Sequence, residues 1–113
     1  MGYMLYDQVR IEFPDRELAH LQVVILSKLR RHESFAMSWR EPAATGGGRS
    51  TIWLDSAHAL YFRFDGSRWP ELSHEWVERL RVSASSPTGL LVTDEDGDLV
   101  SGTSVLLRGA SGR

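Results

Sequence analysis

SFAMSWREPAATGGGRSTIWLDSAHALYFRFDGSRW, residues 34–69, is the stretch whose reading decides the fold. Phe35, Met37 and Trp39 alternate with Ser34, Ala36, Ser38 and Arg40; Ile52 and Leu54 alternate with Thr51 and Trp53; Leu60, Phe62 and Phe64 alternate with Tyr61 and Arg63. A side-chain period of two belongs to strands with one buried and one solvent-facing side, so the stretch reads as three consecutive strands. EPAATGGGRS reads as a long flexible loop, because ordering three successive glycines has a high entropic cost. DSAHA reads as a short hairpin loop. Pairing Leu54 with Leu60 gathers Ile52, Leu54, Leu60, Phe62 and Phe64 on the core side, whereas a one-residue slip splits them. That register sets Trp53 opposite Tyr61 and Thr51 opposite Arg63.

Working outward toward the N-terminus, YMLY and VRIEF predict a hairpin about Asp7-Gln8, with Val9, Ile11 and Phe13 inward. Pro14-Asp15 opens a helix, and Asp15 is expected to accept from the free N–H groups of its first turn. Leu18, Leu21, Ile25 and Leu29 recur at helical spacing with Val24 beside them. Val23 and Leu26 make the helix nearly apolar all round, which predicts cover on more than one side. His20 is expected along its flank and His58 in a loop. Toward the C-terminus, Asp65-Gly66 turns the chain out of the strands, and Ser73 caps a second helix with the stripe Trp76, Val77, Leu80 and Ala84. Leu90–Thr93 and Leu99–Val100 read as strands around Asp96-Gly97, and Val105–Leu107 as a last strand or a loosely docked segment. The order β-β-α-β-β-β-α-β-β predicts one α+β domain over residues 1–107. Its mostly antiparallel sheet has about five to seven strands with two helices on one face, and residues 108–113 form a flexible C-terminal tail.

A chain of 113 residues builds one core. A formal charge of −2 gives no global field to hold nucleic acid or anionic membrane nonspecifically. The charge is unevenly spread: residues 30–68 carry six arginines (30, 31, 40, 49, 63, 68) against four acids, while 91–100 carry Asp94, Glu95, Asp96 and Asp98 without a base. Without cysteine, disulfides and thiolate chemistry are excluded. The N-terminal MGYMLYDQVR lacks the basic and long apolar regions of a signal peptide, and no apolar run reaches the roughly 20 residues of a membrane span. A cytoplasmic protein with no membrane partner is expected.

Arg63-Phe64-Asp65-Gly66-Ser67-Arg68 resembles the K-x-D-G-x-R nucleotide-attachment motif of ATP-dependent DNA ligases and mRNA capping enzymes, with arginine where that motif has its lysine. The lysine attacks the α-phosphate as a neutral amine, whereas arginine stays protonated and is no nucleophile. The only lysine, Lys28, lies on the first predicted helix. Gly46-Gly47-Gly48-Arg49-Ser50-Thr51 carries arginine where a phosphate-binding P-loop has lysine, and a strand follows it where that motif needs a helix. Asp94–Asp98 lacks the glycine and glutamate positions of a calcium loop. The four histidines, 20, 32, 58 and 74, show no ligand spacing. No catalytic residue, metal or cofactor is therefore expected.

The remaining candidate is the solvent face of the central strands. Arg40, Trp53, Tyr61 and Arg63, assisted by Arg49 on the glycine loop and Arg68 beyond the last strand, combine aromatic and guanidinium groups. Three readings fit: a cross-strand aromatic pair that only stabilises the sheet by about 0.2–1 kcal/mol, contact with a protein partner or a second copy, or stacking of single-stranded nucleic acid at about 1–3 kcal/mol per base.

Taken together, MGYMLY, RELAHLQVVILSKLRR, ESFAMSWR, GRSTIWL, LYFRFDGSR and the Trp76-centred helix resemble a family of small uncharacterised bacterial proteins, over about residues 1–93. Some members are labelled ATP-dependent DNA ligase. The resemblance implies a single compact domain and supplies no substrate, cofactor or catalytic residue. The expected function is that of a non-catalytic binding or accessory domain in contact with protein. Single-stranded nucleic-acid binding is the alternative, and a ligase-type nucleotidyltransferase a further one.

Overall fold

Apolar alternation becomes sheet only where a second strand comes within hydrogen-bonding reach, and the first pair here forms locally. β1 (Gly2–Tyr6) and β2 (Val9–Phe13) close a hairpin with Tyr6 opposite Val9. Its turn holds no glycine; Asp7 takes φ 56°, a left-handed conformation that Asp adopts more readily than most residues. The chain continues as α1 (Asp15–Arg30), β3 (Phe35–Arg40), a short 3-10 turn (Ala43–Thr45), β4 (Arg49–Leu54), β5 (Leu60–Arg63), α2 (His74–Ala84), β6 (Leu90–Leu91) and β7 (Thr103–Leu106). The computed structural model describes residues 1–107, so the expected tail at 108–113 lies outside the described residues. The architecture is α+β, two helices and seven strands in the order the sequence predicts, with antiparallel pairing dominant.

The strands divide into two sheets. β5-β1-β2-β7 is antiparallel throughout, whereas in β4-β3-β6 the short β6 runs parallel to β3. The expected pairing of Leu54 with Leu60 does not form: Trp53 stands opposite Ala36 on β3, and Tyr61 opposite Leu5 on β1. The phenol of Tyr6 explains the difference. It receives the Asp55 N–H at 3.0 Å and reaches the Asp55 carboxylate at 3.1 Å, drawing the β4–β5 connection to the end of β1. Leu60 and Phe62 then pair with Tyr6 and Met4, keeping the inward face that burial demands while changing the neighbour. The sheets meet where residues 100–102 run along the end of β3. Arg40 N–H donates to Val100 O at 3.2 Å and Gly102 N–H to Arg40 O at 2.8 Å, before β7 continues onto β2. The hairpin expected about Asp96-Gly97 closes through Asp94 N–H to Asp98 O at 2.8 Å, Gly97 N–H to Asp94 O at 3.0 Å and Val100 N–H to Val92 O at 2.9 Å, with its arms paired only by the isolated Thr93–Leu99 bridge.

Met4, Ile11, Phe13, Met37, Trp39 and Leu54 cover the inner sides of the sheets, closed by Leu18, Leu21 and Ile25 of α1 and by Trp76 and Leu80 of α2. α1 buries one stripe only. Val23 and Leu26, expected under cover, are 40% and 37% exposed, because α2 packs on a single flank. Asp15 does not cap its own helix; its carboxylate accepts from Asp65 N–H at 3.2 Å and Gly66 N–H at 2.9 Å. These bonds, that from Gly66 foremost, hold it below the usual carboxylate range. Ser73 caps α2 as expected, accepting from Trp76 N–H at 3.3 Å.

His20 is fully buried between the helices rather than lying on a flank, stacked on the Trp76 indole at 4.0 Å. A carbonyl only accepts and an amide N–H only donates, so its two partners fix the tautomer. Nδ1–H donates to Arg16 O at 2.7 Å, and Nε2 accepts from Ser73 N–H at 2.9 Å. Protonation would place a hydrogen against the Ser73 amide at the start of α2. Burial, with the Arg16 charge adding to it and Glu95 and Glu17 opposing, lowers the imidazole's pKa. The unfolded chain, with an ordinary histidine at about 6.5, therefore binds more protons below that pH than the native state does. Stability from this site is complete above about pH 6.5 and falls as the pH drops. Urea unfolding at pH 7.5 and 5.5 is expected to show this loss in the wild type. His20→Gln, which keeps a donor and an acceptor but cannot charge, is expected to show less of it; an equal loss in both proteins would remove His20 as the cause.

Candidate functional site

The six residues singled out by sequence do not form one patch. Because Phe35, Met37 and Trp39 point inward, Ala36, Ser38 and Arg40 share the outer face of β3. The register places Trp53, Thr51 and Arg49 directly opposite them. Arg40, Arg49 and Trp53 thus stand on one face, with the exposed indole four residues, about 13 Å, from the guanidinium pair. Tyr61 and Arg63 belong to the outer face of the other sheet, where Tyr61 stacks on Tyr3 at 6.2 Å and Arg10 lies 5.2 Å from the Tyr3 ring. Arg68 is exposed in the loop between β5 and α2. The side chains that complete the first face, Ser38 and Thr51, share a hydrogen bond of 2.8 Å. Their place in the outward alternation was visible in the sequence, but nothing marked them as binding groups.

Three depressions follow one another along this face. The first, about 280 Å³, lies between Trp53, Ala36 and the Ser85–Pro87 turn, with Lys28 at its edge. The second, about 570 Å³, is lined by Ser38, Thr51, Arg49, Thr88, Leu91 and Leu99. The third, about 480 Å³, lies among Arg40, Glu41, Arg49, Gly47, Gly48 and Ser101. The second and third share Arg49 and form a groove, with the first beyond them, so the face carries an indole at one end, hydroxyls in the middle and two guanidinium groups at the other. Gly46, Gly47 and Gly48 all take positive φ there, which turns the chain tightly enough to bring Arg49 back onto Arg40. A larger depression of about 710 Å³ between α2 and β6 has acids Glu75 and Glu78 on its rim, and its one guanidinium, Arg79, is engaged by the Asp94 and Glu95 carbonyls. It offers an anion nothing.

The two arginines of the groove make no direct ion pair among the described residues. Lys28 is paired with Glu33 at 3.2 Å, but neither Arg40 nor Arg49 enters an ion pair among the described residues. The adjacent carboxylate, Glu41, is engaged elsewhere: it accepts from Trp39 Nε1 at 3.0 Å and from the hydroxyls of Ser50 and Ser104 at 2.6 Å each. Burial works against its charge, yet these bonds outweigh it and hold the carboxyl below its ordinary range. Like charges directly across an antiparallel pair are destabilising by roughly 0.2–1 kcal/mol, so the Arg40–Arg49 pair is an arrangement an incoming anion would relieve.

The ligase-like hexamer makes structural contacts. The Asp65 and Gly66 amides dock on Asp15, and the Asp65 carboxylate pairs with the N-terminal amine at 2.8 Å. Lys28 is buried on α1 against Phe35. No helix among the described residues is long and apolar enough to cross a membrane. The model of one family, described as a domain of unknown function (DUF7882), matches residues 1–95. No curated protein and no solved structure matches the chain.

Arg40→Glu should convert the repulsive pair into an attractive one. A thermal midpoint raised by a few degrees, most at low ionic strength, is expected from a gain of about 0.2–1 kcal/mol. A midpoint that does not rise at any salt concentration would mean the two guanidinium groups do not repel.

Proposed function

Since the chain belongs to the DUF7882 family, whose description assigns no activity, we propose its function from the groove: it is a non-catalytic accessory domain that binds single-stranded nucleic acid on the outer face of β4-β3-β6. The observation that carries this reading is the Arg40–Arg49 pair, without a carboxylate partner and in line with an exposed Trp53. Phosphates sit at the guanidinium groups, the Ser38 and Thr51 hydroxyls contact the backbone between, and a base stacks on the indole. Such sites combine a cationic track with aromatic platforms and read little sequence.

Contact with another protein draws on a different observation, the Tyr3–Tyr61 stack with Leu5, Val105, Arg10 and Arg63 on the outer face of the four-stranded sheet. Four strands about 4.8 Å apart and four residues long present on the order of 300 Å², against about 800 Å² per partner in a stable interface. That face suits a small or transient contact, and the groove has the stronger claim.

Fluorescence anisotropy with a labelled oligothymidylate tests the proposal. Binding should weaken from about 50 to 200 mM salt with a slope near −0.7 per phosphate contacted, reduced by about that amount in Arg40→Ala. Trp53→Ala should lose about 5- to 150-fold in affinity, the equivalent of one stacked base at about 1–3 kcal/mol, while Tyr61→Ala leaves it unchanged. Absence of salt-dependent binding, or equal losses in Trp53→Ala and Tyr61→Ala, would refute the groove as the site.

A further inference from the structure

β4 has one open edge. Arg40 directs its own N–H and C=O to residues 100–102, and Glu41 N–H donates to Gly48 O at 2.9 Å. Along an antiparallel ladder the backbone groups alternate in direction. Ser50, Ile52 and Leu54 therefore face β3, and Arg49, Thr51 and Trp53 face away. None of the latter three has a backbone partner among the described residues, and β3 is the only named element that lies along β4. This edge is six residues long and has no proline and no lysine between Arg49 and Leu54, Arg49 at its end being its one charged side chain. The side chains of Arg49, Thr51 and Trp53 are all exposed.

We propose that this edge pairs antiparallel with β4 of a second copy of the chain, with Thr51 opposite Thr51 on a two-fold axis. The sequence of the strand selects both occupant and register. Only when the axis passes through Thr51 do all three outward-facing residues find partners, giving about six backbone hydrogen bonds. The same register sets Arg49 of each copy across from Trp53 of the other, a cation over an indole face, and separates the two Arg49 side chains. Shifting by one repeat either way leaves Trp53 opposite Gly47 or Arg49 opposite Asp55 of the loop. The interface is isologous and closed, as a two-fold pair requires, and it is held by backbone pairing rather than by area, so it is weak and dissociates on dilution. Its two three-stranded sheets become one continuous sheet, and each groove gains an arginine from the second copy beside its indole. The inference does not rest on nucleic-acid binding, and its test is run without oligonucleotide.

Light scattering across a concentration series is expected to show a mass rising from 12.8 kDa toward twice that value. Thr51→Pro removes an N–H that points to the second copy and none from the β3–β4 ladder, so it should stay at the single-chain mass with an unchanged circular dichroism spectrum. If Thr51→Pro does not fold, the exchange of the facing pair decides. Trp53→Arg should lose the dimer by setting arginine against arginine, and Trp53→Arg with Arg49→Trp should recover it. A wild-type mass that stays at one chain at every concentration overturns the proposal. So does a folded Thr51→Pro variant that still dimerises, or a double exchange that fails to restore what Trp53→Arg removes.

Discussion

The Glu41 carboxylate holds the two sheets in register with one another. It follows β3 directly and gathers the indole N–H of Trp39, the hydroxyl of Ser50 on β4 and the hydroxyl of Ser104 on β7. One ionised group thereby joins three strands of two different sheets, through hydrogen bonds to a charge that are each stronger than neutral ones. Its consequence for the groove is indirect. Glu41 Oε2 is committed to these three neutral donors, so the charge stays beside Arg40 and Arg49 without forming an ion pair with either among the described residues.

Side-chain alternation tells which face of a strand is buried and says nothing about which strand lies beside it. That is why the inward sets were legible in the sequence throughout: Phe35, Met37 and Trp39, Ile11 and Phe13, and Leu54 are all where periodicity puts them. The β4–β5 hairpin was not legible, because β1 accepts Leu60 and Phe62 on the same inward face that β4 would have offered. The deciding interaction, the Tyr6 phenol on Asp55, spans 49 residues and has no local signature. The same limit applied to the site. Alternation alone turns Trp53 and Arg40 outward, but Arg49 follows three glycines without a strand signal, and nothing local separates the sheet of Tyr61 from that of Trp53.

Charge in this protein is segregated rather than balanced. The turn at Asp94–Asp98 is built on the Asp94 carboxylate, which accepts the Asp96 and Asp98 amides, and it is clamped by Arg16 on Glu95 at 2.5 Å. The Asp94 and Glu95 carboxylates already have donors, so the turn needs no cation to hold its shape. The groove on the other side of β6 has cations and few acids. A net charge of −2 conceals this polarity, since the sum says nothing of where on the surface the charges lie.

Local rules of folding are obeyed almost everywhere in the described residues, which gives weight to the places where they are not. Among buried side-chain polar atoms only Arg10 Nε lacks a partner, α2 is capped, and His20 has both nitrogens satisfied. β4 breaks the rules twice: its first residue faces a like charge, and its outer edge leaves three residues of backbone unpaired beside a bare indole. Either feature would be simple to remove, the first by one acidic substitution and the second by one proline or lysine. Departures of this kind in an otherwise consistent sequence concentrate where function sets the requirement. Both fall on the same six residues, and an anion against the guanidinium pair or a strand against the edge would relieve them.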